Sequence, residues 1–247
     1  CVVCGFLGCL AYKVFYYCIK ISVREKKMYP LYLFLGGTLA VYYEILTDTL
    51  GRCVWATEGE WVVSALGRDI PLFAVATYMF YFPVAMVSIN LALEKGMTFS
   101  AWKKVAFTAI PIAYVFELYP VNAQWWWYYG EGQPLAFMGL PAYWSFAAMN
   151  AVMGSAAIAF LMRKYVFKGK NEFLLVFIVP LSVVGLHMPV IYPVHMALSS
   201  TTNIVYTTIG ALVSIVLSCC LLVAVGKIAT SRSGNAMPAD GLVKQAS

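Results

Sequence analysis

Long stretches of apolar residues, separated by short polar segments, dominate this sequence. Seven of them are about 20 residues long, the length that an α-helix rising 1.5 Å per residue needs to cross a hydrocarbon core of about 30 Å. Strands of a membrane β-barrel would alternate apolar and polar residues, and these stretches do not. The pattern predicts seven transmembrane helices, at residues 1–19, 30–51, 70–93, 101–119, 140–162, 173–197 and 203–228.

Composition supports the same class of protein. Hydrophobic residues make up 62% of the 247 residues and charged residues 11%, with a mean hydropathy of +0.78, whereas soluble domains are about 45–50% apolar and about 25% charged. We therefore predict an all-α, polytopic protein of a plasma, inner or endoplasmic reticulum membrane. Residues 1–229 form its transmembrane domain, and the polar segment 230–247 is predicted to be a disordered cytoplasmic tail. The first residue is Cys1 rather than Met, which leaves the natural start of the chain open.

Lysine and arginine fall mainly on one side of the predicted bundle. The loops on the other side contain only Arg52 and Arg68. Because basic loops stay in the cytoplasm, we predict the N-terminus outside and the C-terminus in the cytoplasm. The net charge of +6 is thus a topology signal, and no nucleic-acid partner is expected. Of the 17 basic residues, 14 lie on the cytoplasmic side, in segments 20–28, 94–104, 163–172 and 227–244.

Two carboxylates lie inside the second predicted helix, in the stretch AVYYEILTDTLG at residues 40–51. Glu44 lies about 20 Å along this helix from its cytoplasmic end, and Asp48 is one turn further out. An unpaired charge at the membrane centre costs about 2.5–3.5 kcal/mol. We therefore expect both to face a polar pocket in the outer half of the bundle, where Glu117 and His187 are the other catalytic candidates.

The expected partners of Glu44 come from three other helices. Glu117 lies in the last turn of the fourth, Asn150 near the middle of the fifth and His187 in the outer half of the sixth. Simpler interpretations stay open. Asp48 and Glu117 would then be solvated helix ends, Glu44 and His187 would form a structural bond between two helices, and the Asn150 amide would join two helices.

The loop after the fourth predicted helix is strongly aromatic and reads VNAQWWWYYGEGQPLAFMGLPAYW. Its tryptophans and tyrosines fit an interfacial belt. A run of five, followed by glycines and prolines, also fits a turning, re-entrant loop that covers the mouth of the pocket. Aromatic faces suit an apolar ligand or a cation. The predicted substrate-binding residues are Tyr43, Trp125, Trp126, Trp127, Tyr128, Trp144 and Asn150.

Motifs of common enzyme classes are missing from the sequence. It has no HExxH, GxSxG, P-loop or GxGxxG motif, and the seventh predicted helix has no central lysine that could hold retinal. The seven cysteines lie mostly in apolar runs, where cysteine behaves as a small hydrophobic residue. Cys1 and Cys4 have CxxC spacing without a second pair. We therefore expect no metal and no cofactor.

The stretch YYEIL resembles a motif of a known enzyme class. Tyr43-Glu44 is similar to the aromatic-Glu motif on an early helix of the small seven-helix integral-membrane terpene cyclases, and YYGEGQPLAFMGLPAYW resembles a loop of membrane carotenoid cyclases. The resemblance implies acid-initiated cyclisation of an isoprenoid, with Glu44 as proton donor. Those cyclases have a second acid late in the chain. The corresponding helices here have none, so Glu117 or His187 would take its place.

Two further functions fit the same residues. One is a transporter or a lipid-binding protein, with the pocket as a ligand or proton site. The other is a metal-dependent membrane hydrolase or oxygenase. In each case the partner is a lipid, an isoprenoid or another small molecule in the membrane, and the sequence leaves the substrate and the oligomeric state open. The ligands of that metal would come from Glu44, Asp48, Glu117, His187 and His195.

Overall fold

Helices make up 78% of the structure, a computed structural model that describes residues 2–56 and 61–233. Six helical segments are long and apolar enough to cross a membrane, as expected for a helical membrane protein. The helices are α1 (Val2–Glu25), α2 (Tyr29–Leu39), α3 (Glu44–Gly51), α4 (Leu72–Glu94), α5 (Phe99–Asn122), α6 (Ala142–Met149), α7 (Ser155–Tyr165), α8 (Leu175–Ser200) and α9 (Ile204–Ser231).

The helix limits lie within three residues of the predicted ones, except at the first helix. α1 continues six residues beyond its predicted end and closes on an amphipathic turn, with Ile21 buried and Arg24 exposed. The predicted tail lies outside the described residues from residue 234 onwards. Its first residues are helical up to Ser231, and the Ser233 hydroxyl donates a hydrogen bond of 2.5 Å to the Leu93 carbonyl.

Two of the predicted spans are interrupted helices. A 3₁₀ turn at Ala40–Tyr43 separates α2 from α3, and a π-helical turn at Asn150–Gly154 separates α6 from α7. Turns that depart from α-helical geometry in this way often accompany functional sites. The first interruption makes Glu44 the first residue of α3.

Helix α8 is central to the bundle and packs against α2, α3, α7 and α9. The contact between α8 and α2 is close at Gly36, since a Cβ atom added to this residue would lie only 2.8 Å from the Cβ of Val179. Gly51, at the end of α3, makes a similar approach, since a Cβ there would lie 2.1 Å from the Trp144 ring. Side chains larger than hydrogen at these two positions would push the helices apart.

Within the described residues, six short strands lie in the loops at one end of the bundle, where the sequence predicts no regular structure. Aromatic and β-branched residues suit paired strands, which explains the pairing of CVW with WWY. Two hairpins turn on Leu66-Gly67 and Met138-Gly139, all four with positive φ, as a two-residue hairpin loop requires. The antiparallel pairs are β1 (Cys53–Trp55) with β4 (Trp126–Tyr128), β2 (Trp61–Ala65) with β3 (Arg68–Pro71), and β5 (Ala136–Phe137) with β6 (Leu140–Pro141).

The two ends of the bundle differ in chemistry. We call the end that carries β1–β6 the strand end. The opposite end, the basic end, joins Lys27, Glu94 and Arg163 through ion pairs of 3.3 and 2.7 Å. Three of the segments that hold the lysines and arginines therefore meet at one end, as the charge pattern predicts.

Candidate functional site

Three carboxyl groups gather at the strand end. Glu44 and Asp48 lie one turn apart on α3, and Glu117 lies near the end of α5. Asp48 is fully buried, while Glu44 and Glu117 are partly buried. We call these three groups the acidic cluster. Side chains of α3 and α4 bind Glu44, the loop between α3 and α4 provides the donor to Asp48, and the aromatic loop after α5 provides the donors to Glu117.

Glu44 is held by hydroxyl groups. Its Oε2 atom accepts a hydrogen bond from the Tyr78 hydroxyl of α4 and one of 3.0 Å from the Thr47 hydroxyl. The Thr47 hydroxyl also lies 2.9 Å from the Glu44 carbonyl, in the same helical turn. Both side-chain bonds fall on Oε2, so Oε1 is left without a hydrogen-bond partner among the described residues.

Asp48 is bound by an indole. Trp55 of β1 donates a hydrogen bond of 2.7 Å from Nε1 to the Asp48 Oδ2 atom. The other oxygen, Oδ1, is buried and has no N–H or O–H donor within the described part of the chain. The thiol of Cys53, a weak donor two residues before Trp55, lies next to the same carboxyl group.

Glu117 is bound by the aromatic loop. Tyr128 donates a hydrogen bond of 2.8 Å from its hydroxyl to Glu117 Oε1, and Trp126 donates one of 3.3 Å from its indole nitrogen to the same atom. Alternate residues of a strand point to one face, which explains why positions 126 and 128 of β4 act together. The Glu117 Oε2 atom makes no hydrogen bond with a described residue.

Cys53 shows that the three acids converge. Burial raises the pKa of its thiol well above the usual value, and the neighbouring carboxyl groups of Asp48, Glu44 and Glu117 raise it further. Tyr128, which faces Cys53 across the β1–β4 ladder, likewise has a raised pKa, first from burial and then from Glu117. Acids from α3 and α5 therefore act on one small volume beside β1.

Aromatic rings surround the acidic cluster. The Trp55 ring lies 4.8 Å from that of Trp126 and 5.4 Å from that of Phe73. The Tyr128 ring lies 5.3 Å from the Trp144 ring in an edge-on contact. We call these five residues the aromatic wall. Pairs of this geometry are stabilising and fix the orientation of the donors on the carboxylates.

Two more of the predicted substrate-binding tryptophans lie at the margin of the site. Trp125 contacts the rings of Phe73 and Tyr119, at 6.0 and 5.7 Å. Trp127 lies on the opposite face of β4, and 40% of its surface is exposed. The loop predicted to be re-entrant thus contributes a paired strand, with one face towards the acids and one face away from them.

Several predicted residues do not join the acidic cluster. The amide of Asn150 donates to the carbonyls of Phe146 and Ser218, at 3.2 and 3.1 Å, which is the bond between helices that the sequence left open. The His187 ring contacts the Trp144 ring edge-on, and its Nε2 has no partner among the described residues. Tyr43 is partly buried in the 3₁₀ turn and makes no side-chain hydrogen bond within the described chain.

Five members of the site were missed by sequence reasoning: Thr47, Cys53, Trp55, Phe73 and Tyr78. Tyr78 could have been found from depth, because it lies six residues from the start of α4 and Glu44 lies seven from the end of α3. At 1.5 Å per residue, both are about 10 Å below the strand end. Trp55 and Cys53 had no such signal, since only the β1–β4 ladder brings them to the acids.

Cations stay away from the acidic cluster. Arg68 donates to the Tyr129 hydroxyl and lies over that ring, 4.9 Å from its centroid, while Arg52 donates to the Leu198 carbonyl. Across residues 2–56 and 61–233, the three acids form no ion pair within 4 Å. In the same ranges, no three His, Cys, Asp or Glu side chains are placed to hold a metal ion together.

Comparisons with known proteins give no match: no family model, no curated protein and no solved structure is similar to this chain. The resemblance of YYEIL to membrane terpene cyclases therefore stays a prediction. Any inference about function has to begin with the acidic cluster, the neutral donors that bind it and the aromatic wall around it.

Proposed function

We propose that this chain is an integral-membrane enzyme that cyclises a lipid-soluble, isoprenoid-like substrate by protonating it. The observation that carries the proposal is the shared geometry of three acids. Each of Glu44, Asp48 and Glu117 has one oxygen bound by neutral aromatic or hydroxyl donors and a second oxygen without such a donor. A carboxyl group fixed in this way can hold a proton on its free oxygen and donate it to a substrate, or accept a proton there when it is ionised.

Glu44 is the proton donor in this proposal. Its proton, on Oε1, moves to a carbon–carbon double bond or an epoxide oxygen of the substrate, which becomes a carbocation. A second double bond attacks the cation and closes the ring. Glu117 then removes a proton from the cyclised cation, so that the product is an isomer of the substrate and no further reactant is needed. Exchange with water then returns a proton to Glu44 and removes the proton from Glu117, so that both groups are restored for the next turnover.

The aromatic wall supports this chemistry. Ring faces attract a cation, by about 0.5–2 kcal/mol for each suitable contact, and they offer no lone pair strong enough to quench it. Glu117 is the better second acid than His187, because its donor Trp126 lies 4.8 Å from Trp55, the donor to Asp48, whereas the His187 ring contacts Trp144.

The membrane orientation is part of the proposal. We infer seven spans, the second formed by α2 and α3 together, with the strand end outside and the basic end in the cytoplasm. The charge difference between the two ends supports this orientation. Single cysteines at residues 131 and 168 should react with an impermeant maleimide from outside and from inside, respectively. The opposite pattern would overturn the orientation.

Two variants of Glu44 test its proposed role as the proton donor. Glu44→Gln keeps the acceptor for Tyr78 and Thr47 but has no acidic proton, so turnover should fall by at least about 100-fold with an unchanged melting temperature. Glu44→Leu leaves the Tyr78 hydroxyl without a partner and should also destabilise the protein, by about 1–3 kcal/mol. Glu25→Gln, at an exposed residue of the basic end, is the matched control.

The assay follows cyclised products of geranylgeraniol and its terminal epoxide by mass spectrometry, with purified protein in phospholipid nanodiscs. Cyclisation by the natural chain that is lost in Glu44→Gln and kept in Glu25→Gln supports the proposal. Full turnover in Glu44→Gln would overturn the role of Glu44, and no turnover of either compound by the natural chain would count against cyclisation.

Proton-coupled transport is the second candidate, and a specific observation favours it. Buried oxygens of Asn90, Asn150, Ser155 and Ser218 have no hydrogen-bond partner among the described residues. They lie deeper in the bundle than the acidic cluster, on α4, α7, α9 and the π-helical turn. Water bridging such groups would conduct protons. Proton uptake into liposomes that needs Asn150 but yields no cyclised product would favour transport over catalysis.

A further inference from the structure

A groove of about 330 Å³ lies between α5 and α6, separate from the acidic cluster. Its walls come from Phe107, Pro111 and Val115 of α5 and from Ala142 and Phe146 of α6. Phe107 and Val115 are 40 and 64% exposed on the lipid-facing surface, so the groove opens sideways from the bundle. The volume is at the lower end of the range for small-molecule sites, which are concave and mostly apolar.

Ser145 is the polar group at the bottom of this groove. Its side chain is 1% exposed, and its hydroxyl has no hydrogen-bond partner within the described chain. Hydroxyls in helices usually bond to the carbonyl four residues earlier, as Thr38, Thr49 and Thr77 do here at 2.7–3.0 Å. A buried hydroxyl without a partner costs free energy unless a ligand or a water binds it.

The groove ends beside the acidic cluster. Tyr114 forms its wall towards the strand end and donates a hydrogen bond of 2.9 Å to the Leu140 carbonyl. Glu117 lies three residues later on α5, hence on the neighbouring turn of the same face. A chain lying in the groove would therefore point one of its ends towards the Glu117 carboxyl group.

We propose that the groove binds the isoprenoid chain of a neutral oxygenated substrate from the lipid phase, with Ser145 donating a hydrogen bond to the oxygen of that substrate. The proposal rests on the proposed function for the class of substrate. The aromatic side chains of Phe107 and Phe146 match the double bonds of an isoprenoid. Of the two hydroxyls in the walls, that of Tyr114 is bound to the Leu140 carbonyl, and that of Ser145, which has no partner among the described residues, matches an alcohol or an ether. The groove would be the access route to Glu117.

Binding is measured apart from turnover. The full chain, in phosphatidylcholine nanodiscs, is labelled with a diazirine analogue of geranylgeraniol, and the labelled peptides are identified by mass spectrometry. We expect saturable labelling within residues 107–115 and 142–146, displaced by unlabelled geranylgeraniol and much less by hexadecanol. Equal displacement by hexadecanol, or labelling spread over the lipid-facing helices, would mean an ordinary membrane-lipid contact and would overturn the proposal.

Two variants locate the ligand. Ala142→Phe fills the groove and should reduce saturable labelling at least about tenfold, while Ala224→Phe, the same change at an exposed residue of α9, should leave it unchanged. Ser145→Ala removes only the hydroxyl and should weaken binding about fivefold, the effect of one neutral hydrogen bond. Unchanged binding in Ser145→Ala would refute the assigned hydrogen bond even if Ala142→Phe fails to fold.

The same labelling experiment tests binding in the groove independently of the catalytic role of Glu44. Glu44→Gln should label like the natural chain, because Glu44 does not line the groove. If Glu44→Gln keeps both saturable labelling and full turnover, Glu44 is not the proton donor, but the assignment of the groove as a binding site stands. If Glu44→Gln loses turnover and no variant shows saturable labelling of α5 and α6, the role of Glu44 as proton donor stands, but the groove is not the binding site.

Discussion

The two ends of the bundle use the same residue type in opposite ways. At the basic end, Glu94 accepts hydrogen bonds from Arg163 at 2.7 Å, Lys27 at 3.3 Å and Tyr29 at 3.1 Å. Two of its three partners are cations. At the strand end, the described residues that bind the acidic cluster do so through neutral hydroxyl and indole groups, and Arg68 acts on Asp48 from beyond ion-pair distance.

The difference in hydrogen-bond partners distinguishes a carboxylate with a structural role from one that can take part in a reaction. A carboxylate between two cations keeps its charge and joins the segments that carry them. Removing one member of such a group is destabilising, because it leaves a buried charge without a partner. Carboxyl groups among neutral donors gain orientation without charge compensation, so that the free oxygen can exchange a proton. The partners of a buried acid, more than its depth, indicate which of the two uses applies.

The largest expected effect concerns the acid that would complete the reaction. Glu117→Gln preserves the acceptor for Tyr128 and Trp126 but cannot remove a proton, so turnover should fall about 100-fold, equivalent to about 2.7 kcal/mol. His187→Gln should leave turnover within about twofold. Product formation by the two purified variants decides the point, and the reverse result would transfer the second acid role to His187.

The next effect concerns stability at the basic end. Glu94→Leu leaves the buried Arg163 guanidinium without its ion pair and should lower the free energy of unfolding by about 1–3 kcal/mol, allowing for the partial exposure of Glu94. Thermal unfolding in detergent measures this loss of stability. The control is Glu25→Leu, at an exposed ion pair, for which we expect the free energy of unfolding to fall by less than about 1 kcal/mol. Turnover per folded molecule should be unchanged. A loss of turnover without destabilisation would contradict the purely structural role of Glu94.

A smaller effect is expected from the aromatic loop. Tyr128→Phe removes one hydroxyl donor from Glu117 and should cost about 1 kcal/mol, or about fivefold in turnover. Trp127→Phe, on the opposite face of β4, is the matched control and should change neither turnover nor melting temperature. If both variants behave alike, the face of β4 that points to the acids has no special role.

The smallest effect is a difference in thiol reactivity. Burial and the three neighbouring carboxyl groups raise the pKa of Cys53, and a protonated thiol is a poor nucleophile. N-ethylmaleimide at neutral pH should therefore modify the new thiol of a Glu131→Cys variant, at an exposed loop position of the strand end, before it modifies Cys53, until denaturant exposes Cys53 as well. Rapid modification of Cys53 in the folded protein would show that the acids do not enclose it.

Sequence reasoning reached the helical architecture and predicted part of the site, for identifiable reasons. Hydropathy indicates helix positions, and alternating direction gives depth, which is why Glu44, Asp48 and Glu117 could be predicted to lie in the same half of the bundle. Depth does not fix the direction in which a side chain points. His187 and Asn150 were therefore plausible partners of Glu44, and the structure turns them towards Trp144 and Ser218 instead.

The rest of the site depends on pairing between distant loops. Trp55 reaches Asp48, and Trp126 reaches Glu117, because β1 and β4 align residues more than 70 positions apart. Three-residue strands give too short a pattern to distinguish from an interfacial aromatic belt. The aromatic stretch WWWYY stood out in the sequence, but its partner CVW carried no signal of its own.

The 3₁₀ turn at Ala40–Tyr43 sets the direction in which α3 faces. An α-helix advances 100° per residue and a 3₁₀-helix 120°, so four residues of 3₁₀ turn rotate everything after them by about 80° relative to a continuous α-helix. Glu44 and Asp48 move together through this angle, towards Tyr78 and Trp55. The geometry of this four-residue turn thereby determines which neighbours the two acids meet, and a helix that relaxed to regular α geometry there would turn both acids away at once.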